Sequence, residues 1–501
     1  MPPAEPPARP RTPLYTAALA AAALCVAAAC SLREDFVTTP GLTVEFSRDT
    51  VRFDTVFTEV GSATRSFKIY NRETRPLSLA SVRVSDRAGG RFRINVDGVS
   101  GAEVRDVFLP PEDSIYVFVE VTVDPDADVS VSPFVFEGQV VVEAVDVEQV
   151  VTLEAFGQNA NYIPGDRARA GFRTFSCDLG EVVFDDPRPY VLYGSLVFDE
   201  CPLRLPAGTR LYIHGGLVRN DELFPDNPIF NDGLLVFADR GRLIVEGTAE
   251  DPVLIAGDRL EERFRARGGQ YSGIRLGAGT GPHRISHAEI RNGVVGVFVD
   301  SAARLAIDHT EIAYTTGAAI VGYQATVSAS NVLAHDNGGG AVQAIKGGDY
   351  DLDYCTLVNY GSDNPAVALS TAFEIARGRF IYSRLEARIR NSIIYGSLGD
   401  ELALIDVDEP DLLDYALSDC VVRSERVPEQ RPEFADRCAN CVLAPPTERL
   451  FVDVRQDSFL LDSLSVAAGI ATPLPGIDDD LLGAPRDPDA PSAGAYEYTF
   501  D

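Results

Sequence analysis

Between residues 41 and 157, apolar side chains alternate with polar ones in short runs separated by turn-forming residues. Thr43-Val44-Glu45-Phe46, Ser66-Phe67-Lys68-Ile69-Tyr70 and Ile115-Tyr116-Val117-Phe118-Val119-Glu120-Val121 show a period of two. Gln139-Val140-Val141-Val142-Glu143 and Gln149-Val150-Val151-Thr152-Leu153 follow the same pattern. Successive side chains of an extended chain point to opposite faces, so each run buries one face. About seven such strands with no helical period predict an Ig-like β-sandwich over 41–157. The chain has no Trp, so the Cys-Trp-Cys signature of antibody domains is absent. A polar stretch with Pro164 and Gly165, residues 158–185, reads as a linker.

Beyond it the pattern changes to an internal repeat. Ile285-Ser-His-Ala-Glu-Ile290 aligns with Ile307-Asp-His-Thr-Glu-Ile312, Leu352-Asp-Tyr-Cys-Thr-Leu357, Ile389-Arg-Asn-Ser-Ile-Ile394 and Leu417-Ser-Asp-Cys-Val-Val422. Ser328 to Leu333 is a weaker member. The final aliphatic positions, Ile290, Ile312, Leu333, Leu357, Ile394 and Val422, are 22, 21, 24, 37 and 28 residues apart, so the longer intervals carry inserted loops. A second column is small or polar: Ala288, Thr310, Asn331, Cys355, Ser392 and Cys420. One rung per ~22 residues stacks like residues on like at about 4.8 Å. Leucine-rich repeats have a similar period but need a leucine and asparagine consensus that is missing here. The expected fold is therefore all-β: the sandwich, then a right-handed single-stranded parallel β-helix over 186–425. Residues 426–501 are expected to form irregular C-terminal rungs and a closing cap.

Several segments resemble known proteins. Phe53-Asp54-Thr55-Val56-Phe57 and Asn71-Arg72-Glu73 resemble the opening of sandwich domains in surface and ciliary proteins. Leu203-Arg204-Leu205-Pro206-Ala207-Gly208-Thr209, Gly241-Arg242-Leu243-Ile244-Val245-Glu246-Gly247-Thr248 and Asp251-Pro252-Val253-Leu254-Ile255 resemble the first rungs of right-handed parallel β-helices. With Pro189-Tyr190-Val191-Leu192-Tyr193-Gly194, Gly257-Asp258-Arg259-Leu260-Glu261, Gly269-Gln270-Tyr271 and Tyr354 to Tyr360, the chain resembles a family of Bacteroidota surface lipoproteins built on a pectate-lyase-like β-helix. Gly483-Ala484-Pro485-Arg486 and Ala493-Gly494-Ala495-Tyr496-Glu497-Tyr498 resemble its closing segment. The resemblance implies fold and location and hands over no catalytic residue.

The first residues read as an address. Arg9 and Arg11 precede an uncharged stretch, Leu14 to Ala29, that is shorter than the ~20 residues of a membrane-spanning helix. Val26-Ala27-Ala28-Ala29-Cys30 resembles a bacterial lipobox, although it lacks the usual leucine three places before the cysteine. Residues 1–29 are thus expected to be a lipoprotein signal peptide, with Cys30 lipidated and residues 30–40 a tether. Glu34 and Asp35 resemble a surface-export signal, which implies an outer-membrane anchor and display on the cell surface.

Six thiols remain after Cys25 is removed and Cys30 modified, and an even number in an exported chain suggests disulfides. Cys438-Ala-Asn-Cys441 suits a local disulfide better than zinc, because no second CxxC pair exists and all five histidines lie far upstream. Cys177 and Cys201 are candidates for a second disulfide. Cys355 and Cys420 fit as free buried thiols in the small-residue column.

Charge narrows the functional classes. The chain has 75 Asp and Glu against 44 Lys and Arg, a net charge of −31, with Lys68 and Lys346 its only lysines. Nucleic acid and polybasic membrane contacts are excluded on that balance. Asp349, Asp351 and Asp353 alternate along one strand, which puts three carboxylates on one outward face. Such a row suits Ca²⁺ or glycosidase acid–base work, and equally a solvated face. Asp258, Arg259 and Glu261 open a polar loop through Arg263, Arg265 and Arg267, with the residue types a lyase uses. The plainer reading has the loop's acids pairing with its arginines. His287 and His309 occupy equivalent repeat positions, which suits a stacked turn ladder or, with a third ligand, a metal. No P-loop, dinucleotide fingerprint or nucleophile elbow is present. No cofactor is implied except Ca²⁺ at the Asp row.

The chain so read is an exported module that binds polysaccharide or another surface protein, or stiffens the envelope, without catalysis. The alternative is a polysaccharide lyase or glycoside hydrolase of the β-helix type. A third reading, a component of a larger surface assembly, requires a broad apolar patch.

Overall fold

The computed structural model describes residues 36–37, 41–57, 64–86, 92–122, 134–144, 146–158, 160–165, 172–175, 180–219, 229–406, 409–445 and 447–498. The signal peptide, Cys30, Glu34, Asp35 and Cys177 lie outside them. The chain divides into two compact units, Met1–Gln158 and Asn159–Asp501.

The first unit has two five-stranded sheets. One is ordered Glu45–Phe46, Arg65–Tyr70, Ser114–Val121, Phe92–Val96, Val99–Gly101. The other is ordered Thr50–Phe57, Glu148–Gln158, Phe134–Glu143, Leu77–Asp86, Glu103–Leu109, and its first pair is parallel. Alternation does what the sequence predicts: in Ser114–Val121, Ile115, Val117, Val119 and Val121 are buried and the residues between them are not. They share one core with Phe53, Phe67, Phe92 and Leu153. The two-layer sandwich is as expected, and its strand order carries no specific Ig assignment.

The second unit is a right-handed parallel β-helix, a single sheet of 25 strands coiled on itself. In each rung the chain passes through a first strand, a second and a third, and from the strand His283–Arg291 onward the second and third are joined by a one-residue bend. The rung at its centre shows this within one continuous strand, Ile320–His335. Ile320–Tyr323 stacks on Val297–Val299, Thr326–Ser330 on Arg304–Asp308, and Val332–His335 on Thr310–Ala313. The helix also takes in residues expected to be a linker. Asn161–Pro164, Phe172–Phe175 and Val182–Val183 pair in parallel with Tyr190–Tyr193, Ser195–Phe198 and Pro202–Pro206. These strands are only two to four residues long, and their pairing partners rather than their own pattern make them strands.

The interior is a stack of aliphatic columns. Ile290, Ile312, Ala334, Leu357, Ile394 and Val422 lie in register, all fully buried. Here the weak repeat is shifted by one residue from its expected alignment. Ala334, not Leu333, sits over Ile312, and Val332, not Asn331, sits over Thr310. Leu333 faces outward and is buried there by the C-terminal segment, alongside Phe451 and Phe459. Cys355 and Cys420 are buried free thiols flanking Ser392 in the small-residue column, and burial pushes both up to about 12. Cys438 and Cys441 are bridged, and Cys201 is disulfide-bonded.

The bend is a column of its own. His287, His309, Asn331, Tyr354, Asn391, Asp419 and Asn440 have φ of 49°, 45°, 51°, 51°, 51°, 52° and 53°. The left-handed region costs most L-residues roughly 1–2 kcal/mol, and His, Asn and Asp are the side chains that tolerate it. The closing segment meets this column. Residues 450–498 run as a strap along the outer face of the third strands, with Leu450, Phe451, Phe459, Leu461, Ala493 and Ala495 against Leu333, Val358, Ile393 and Tyr395. It covers the third strands laterally.

Arg486 anchors the strap. Its side chain is 3% exposed, yet all five N–H donors are used. Nε donates to the Asp479 carbonyl, and Nη1 donates to the Ser492 carbonyl and Glu497 Oε2. Nη2 donates to Asn331 Oδ1 at 2.6 Å and to the Gly494 carbonyl. The guanidinium lies 3.8 Å from the Tyr354 ring, which occupies the next bend. Asn391, one rung further, donates to the Thr472 carbonyl at 2.7 Å.

Removing one partner of a buried ion pair strands the other, at a cost of about 3–5 kcal/mol. Arg486→Met should therefore lower the unfolding free energy of the β-helix, measured as the urea midpoint times the slope, by that amount and open residues 472–498 to protease. An unchanged midpoint and cleavage pattern would show that the strap is held by its apolar contacts alone.

Candidate functional site

The three sides of the β-helix differ chemically, and the second strands carry charge. Asp349 and Asp351 point outward and are exposed, as their spacing predicts, whereas Asp353 is buried. Arg390, in register on the next rung, grips Asp353 with two bonds of 2.7 and 2.6 Å. Asp351 pairs in register with Arg388, which bonds Glu386 at 2.9 Å and Asp414 at 3.3 Å. The row is one line of a lattice of acids and arginines that extends to Arg437 on Asp414. The exposed pairs of this lattice, unlike the half-buried Asp353–Arg390 pair, contribute little to stability individually.

The Asp258 loop separates into two pairs. Arg259 binds Glu261 at 3.0 Å and covers the Phe264 ring at 3.9 Å, so these residues pin the loop. Asp258 turns away from the arginines to His214, with Oδ2 2.7 Å from Nδ1. That hydrogen bond raises the His214 pKa above the usual imidazole value. Tyr193 stacks on His214 at 4.6 Å. The composition of the loop gave no sign of this partner, which lies more than forty residues earlier on the preceding rung.

Two clusters bring histidines and carboxylates together. Among the described residues, groups of three metal-ligating side chains whose ligand atoms lie within 4.8 Å of one another are His287, Asp308, His309 and His335, Asp336, Asp457. The first realises the stacked ladder: the His287 and His309 rings are parallel at 4.4 Å. In the second, His335 is buried against Phe459 of the strap at 4.7 Å, Asp336 is half-buried and Asp457 is exposed. His335 Nδ1 lies 2.7 Å from Asp336 and Nε2 lies 3.3 Å from Glu311. Burial alone depresses its pKa, but hydrogen bonds to the two carboxylates outweigh this and raise it to about 9. His283 is the opposite case. Its Nδ1 accepts from the Leu243 amide in a dry interior, and burial lowers its pKa to about 4.

The outward side of the first strands is neither charged like the second side nor covered like the third. Arg275, Phe298, Val321, Gln343, Ala368 and Ala403 form its central line in register. Tyr323 lies beside Ile345 on the adjoining line. A hairpin inserted in the loop after the first strand of a later rung, Ala372–Ala376 paired with Arg379–Tyr382, extends this wall. It presents Phe373, 38% exposed, and Ile375, 48% exposed. Phe373 meets Tyr323 edge to face at 5.3 Å. Two cations sit on the rings, Arg275 over Phe298 at 4.7 Å and Lys346 over Tyr323 at 5.2 Å. The one carboxylate paired to these cations, Asp300, is bound to Arg275 at 2.5 Å. This aromatic shelf is the candidate site. Its residues come from separate rungs, and the alternation of Tyr323 and Phe298 with buried neighbours was the only local signal for it.

No family model matches the chain, and no curated protein matches it in sequence. Among solved structures it is similar to the catalytic unit of a thermostable GH87 α-1,3-glucanase from Streptomyces thermodiastaticus strain HF3-3, at TM-score 0.21 and 8% identity over 72% of this chain and 84% of that one. It is similar to XylC in complex with xylose at TM-score 0.25 and 9% identity, over 92% and 91% of the two chains. A family 123 glycoside hydrolase from Clostridium perfringens gives TM-score 0.17 and 9% identity over 23% of this chain and 25% of that one. Superpositions this loose carry no argument about chemistry.

The His335 cluster has a pH signature of defined sign. A histidine whose folded pKa, about 9, exceeds its unfolded value of 6.5 stabilises the fold fully below about pH 6.5 and stops doing so as pH rises through 9. Urea midpoints should therefore fall between pH 6.5 and 9.5 in the native chain and fall less in His335→Gln. Equal slopes in the two proteins would contradict the ion-paired assignment.

Proposed function

We propose that this protein is a non-catalytic binding module whose β-helix holds an extended, neutral polysaccharide along the aromatic shelf. The observation that carries the reading is the shelf itself: Phe298, Tyr323 and Phe373 exposed in part along one wall. Aromatic faces stack on the apolar faces of sugar rings, and rings held by strands and by one another lose less freedom on binding than free ones. The net charge of −31 disfavours polyanions and so selects neutral polymers. Lipidation at Cys30 would tether the module to the outer membrane.

One observation favours an enzyme instead. His214 and Asp258 form a hydrogen-bonded pair with a raised histidine pKa, which is a general acid–base arrangement beside the exposed loop. A second carboxylate, Asp232, acts on His214 through its charge but accepts its hydrogen bond from Ser195, and the reading as lyase or hydrolase stands second for that reason. The assembly reading finds little support, since large exposed apolar side chains of the sandwich, among them Tyr116, Phe118, Phe108 and Val150, are divided between its two sheets.

Retention on a panel of neutral and acidic polysaccharides, with product release and unsaturated-uronate absorbance followed with and without Ca²⁺, tests this. Retention without turnover is expected on a neutral polymer. Tyr323→Ala and Phe373→Ala should each weaken it about tenfold, equivalent to about 1.4 kcal/mol. Turnover abolished in Asp258→Ala or Asp351→Ala would overturn the binding reading in favour of the enzyme.

A further inference from the structure

We propose that His287, Asp308 and His309 form a divalent transition-metal site, with Zn²⁺ the best match, on the bend column of the β-helix. The stacking that builds the fold builds the site. His287 and His309 occupy the same bend in successive rungs, with φ of 49° and 45°. Their rings are parallel and 4.4 Å apart, so they present the same edge. Asp308, immediately before the second bend, is in register with Ser286 before the first. Asp308 Oδ1 lies 3.0 Å from His309 Nδ1, and Ser286 Oγ donates to the same oxygen at 2.5 Å. Ser286 Oγ in turn lies 3.1 Å from His287 Nδ1. Ligand atoms around a tetrahedral ion with bonds of about 2.0–2.1 Å are roughly 3.3 Å apart. The Asp308 and His309 atoms already stand near that separation, and one atom from each of the three residues lies within 4.8 Å of the others.

The second nitrogen of His309 supports the assignment. Nε2 lies 3.1 Å from Asp479 Oδ1 on the strap. A proton on Nε2 shared with that carboxylate leaves the Nδ1 lone pair facing Asp308 Oδ1, two acceptors with a cation's place between them. Asn331 Nδ2, 2.9 Å from the same Nε2, has its own acceptor in the Asp479 carbonyl at 2.9 Å. A carboxylate on the far nitrogen is the outer-shell partner that metal-ligating histidines characteristically have. Two imidazoles and one carboxylate select Zn²⁺ over Ca²⁺ or Mg²⁺, which take oxygen donors. The fourth position is left to water. Through Asp479 the ion would also fasten the strap, at a point separate from Arg486.

Tag-free, chelator-stripped protein titrated with Co²⁺ reads the site directly. One equivalent should bind with the visible d–d bands of a four- or five-coordinate ion, and Zn²⁺ should displace it. His287→Gln and Asp308→Asn should each weaken binding by more than the roughly 10–100-fold cost of losing an outer-shell partner. His335→Gln, in the other cluster, should bind as the native chain does. X-ray absorption of the Zn²⁺-loaded native protein should show scattering from two imidazoles, a readout independent of how any variant folds. No bands, binding insensitive to both ligand variants, loss in His335→Gln alone, or fewer than two imidazoles around zinc would each overturn the assignment.

Discussion

Each rung from His287 to Asn440 turns between its second and third strands on one residue held in the left-handed region, and the rest of the β-helix depends on that bend. The bend sets the register, because a residue inserted or lost beside it would flip the following strand and put its aliphatic side chains outside. Parallel stacking then places all seven bend side chains in one column. Those side chains are His, Asn, Tyr and Asp, the polar or aromatic types, and they need partners once covered. Arg486 supplies one by spending all five donors in a dry site and joining Asn331 to the Tyr354 ring. Glu497 answers its charge. The strap is thus attached to the geometry of the bend and not only to the apolar surface beside it.

This division gives each side of the helix its chemistry. The third strands are covered by the chain's own C-terminal segment, with Leu333, Val358 and Ile393 beneath it. The second strands carry alternating acids and arginines, such as Asp353 with Arg390 and Asp414 with Arg388. The first strands and the hairpin after Thr371 are left with exposed rings and two cations. The rings run across the strands along the stacking axis, with Phe373 set edge to face against Tyr323. The same stacking places His287 over His309, so the ladder that a fold requires also brings ligating atoms together.

Much of this was legible in the sequence, and the misses have physical causes. Aliphatic columns announce themselves through the repeat, which is why Ile285, Ile307, Leu352, Ile389 and Leu417 locate their rungs. Cys355 and Cys420 were legible for the same reason. The rung of Ala334 was misplaced by one because Leu333 is apolar for a partner more than a hundred residues away, and local periodicity does not register such a partner. The bend column escaped notice as a whole because its members share a backbone conformation and not a side-chain type. Phe172–Phe175 and Val182–Val183 look like linker because two to four residues carry too little pattern to show a strand. In sequence Asp258 pairs most simply with the arginines of its own loop, whereas in the fold its partner is His214 on the preceding rung. The aromatic shelf is assembled from rungs and a hairpin far apart in sequence, so only the stacked structure reveals it.

The central claim is that the uncovered first-strand wall, and not the covered or the charged side, is where this protein meets its ligand. Hydrogen exchange with and without a neutral polysaccharide that the protein retains tests it most directly. The account predicts slowed exchange at residues 297–300, 320–323, 342–346 and 372–382, with residues 472–498 unchanged. Protection centred on residues 258–272, or on the Asp349 to Asp353 face, would contradict it.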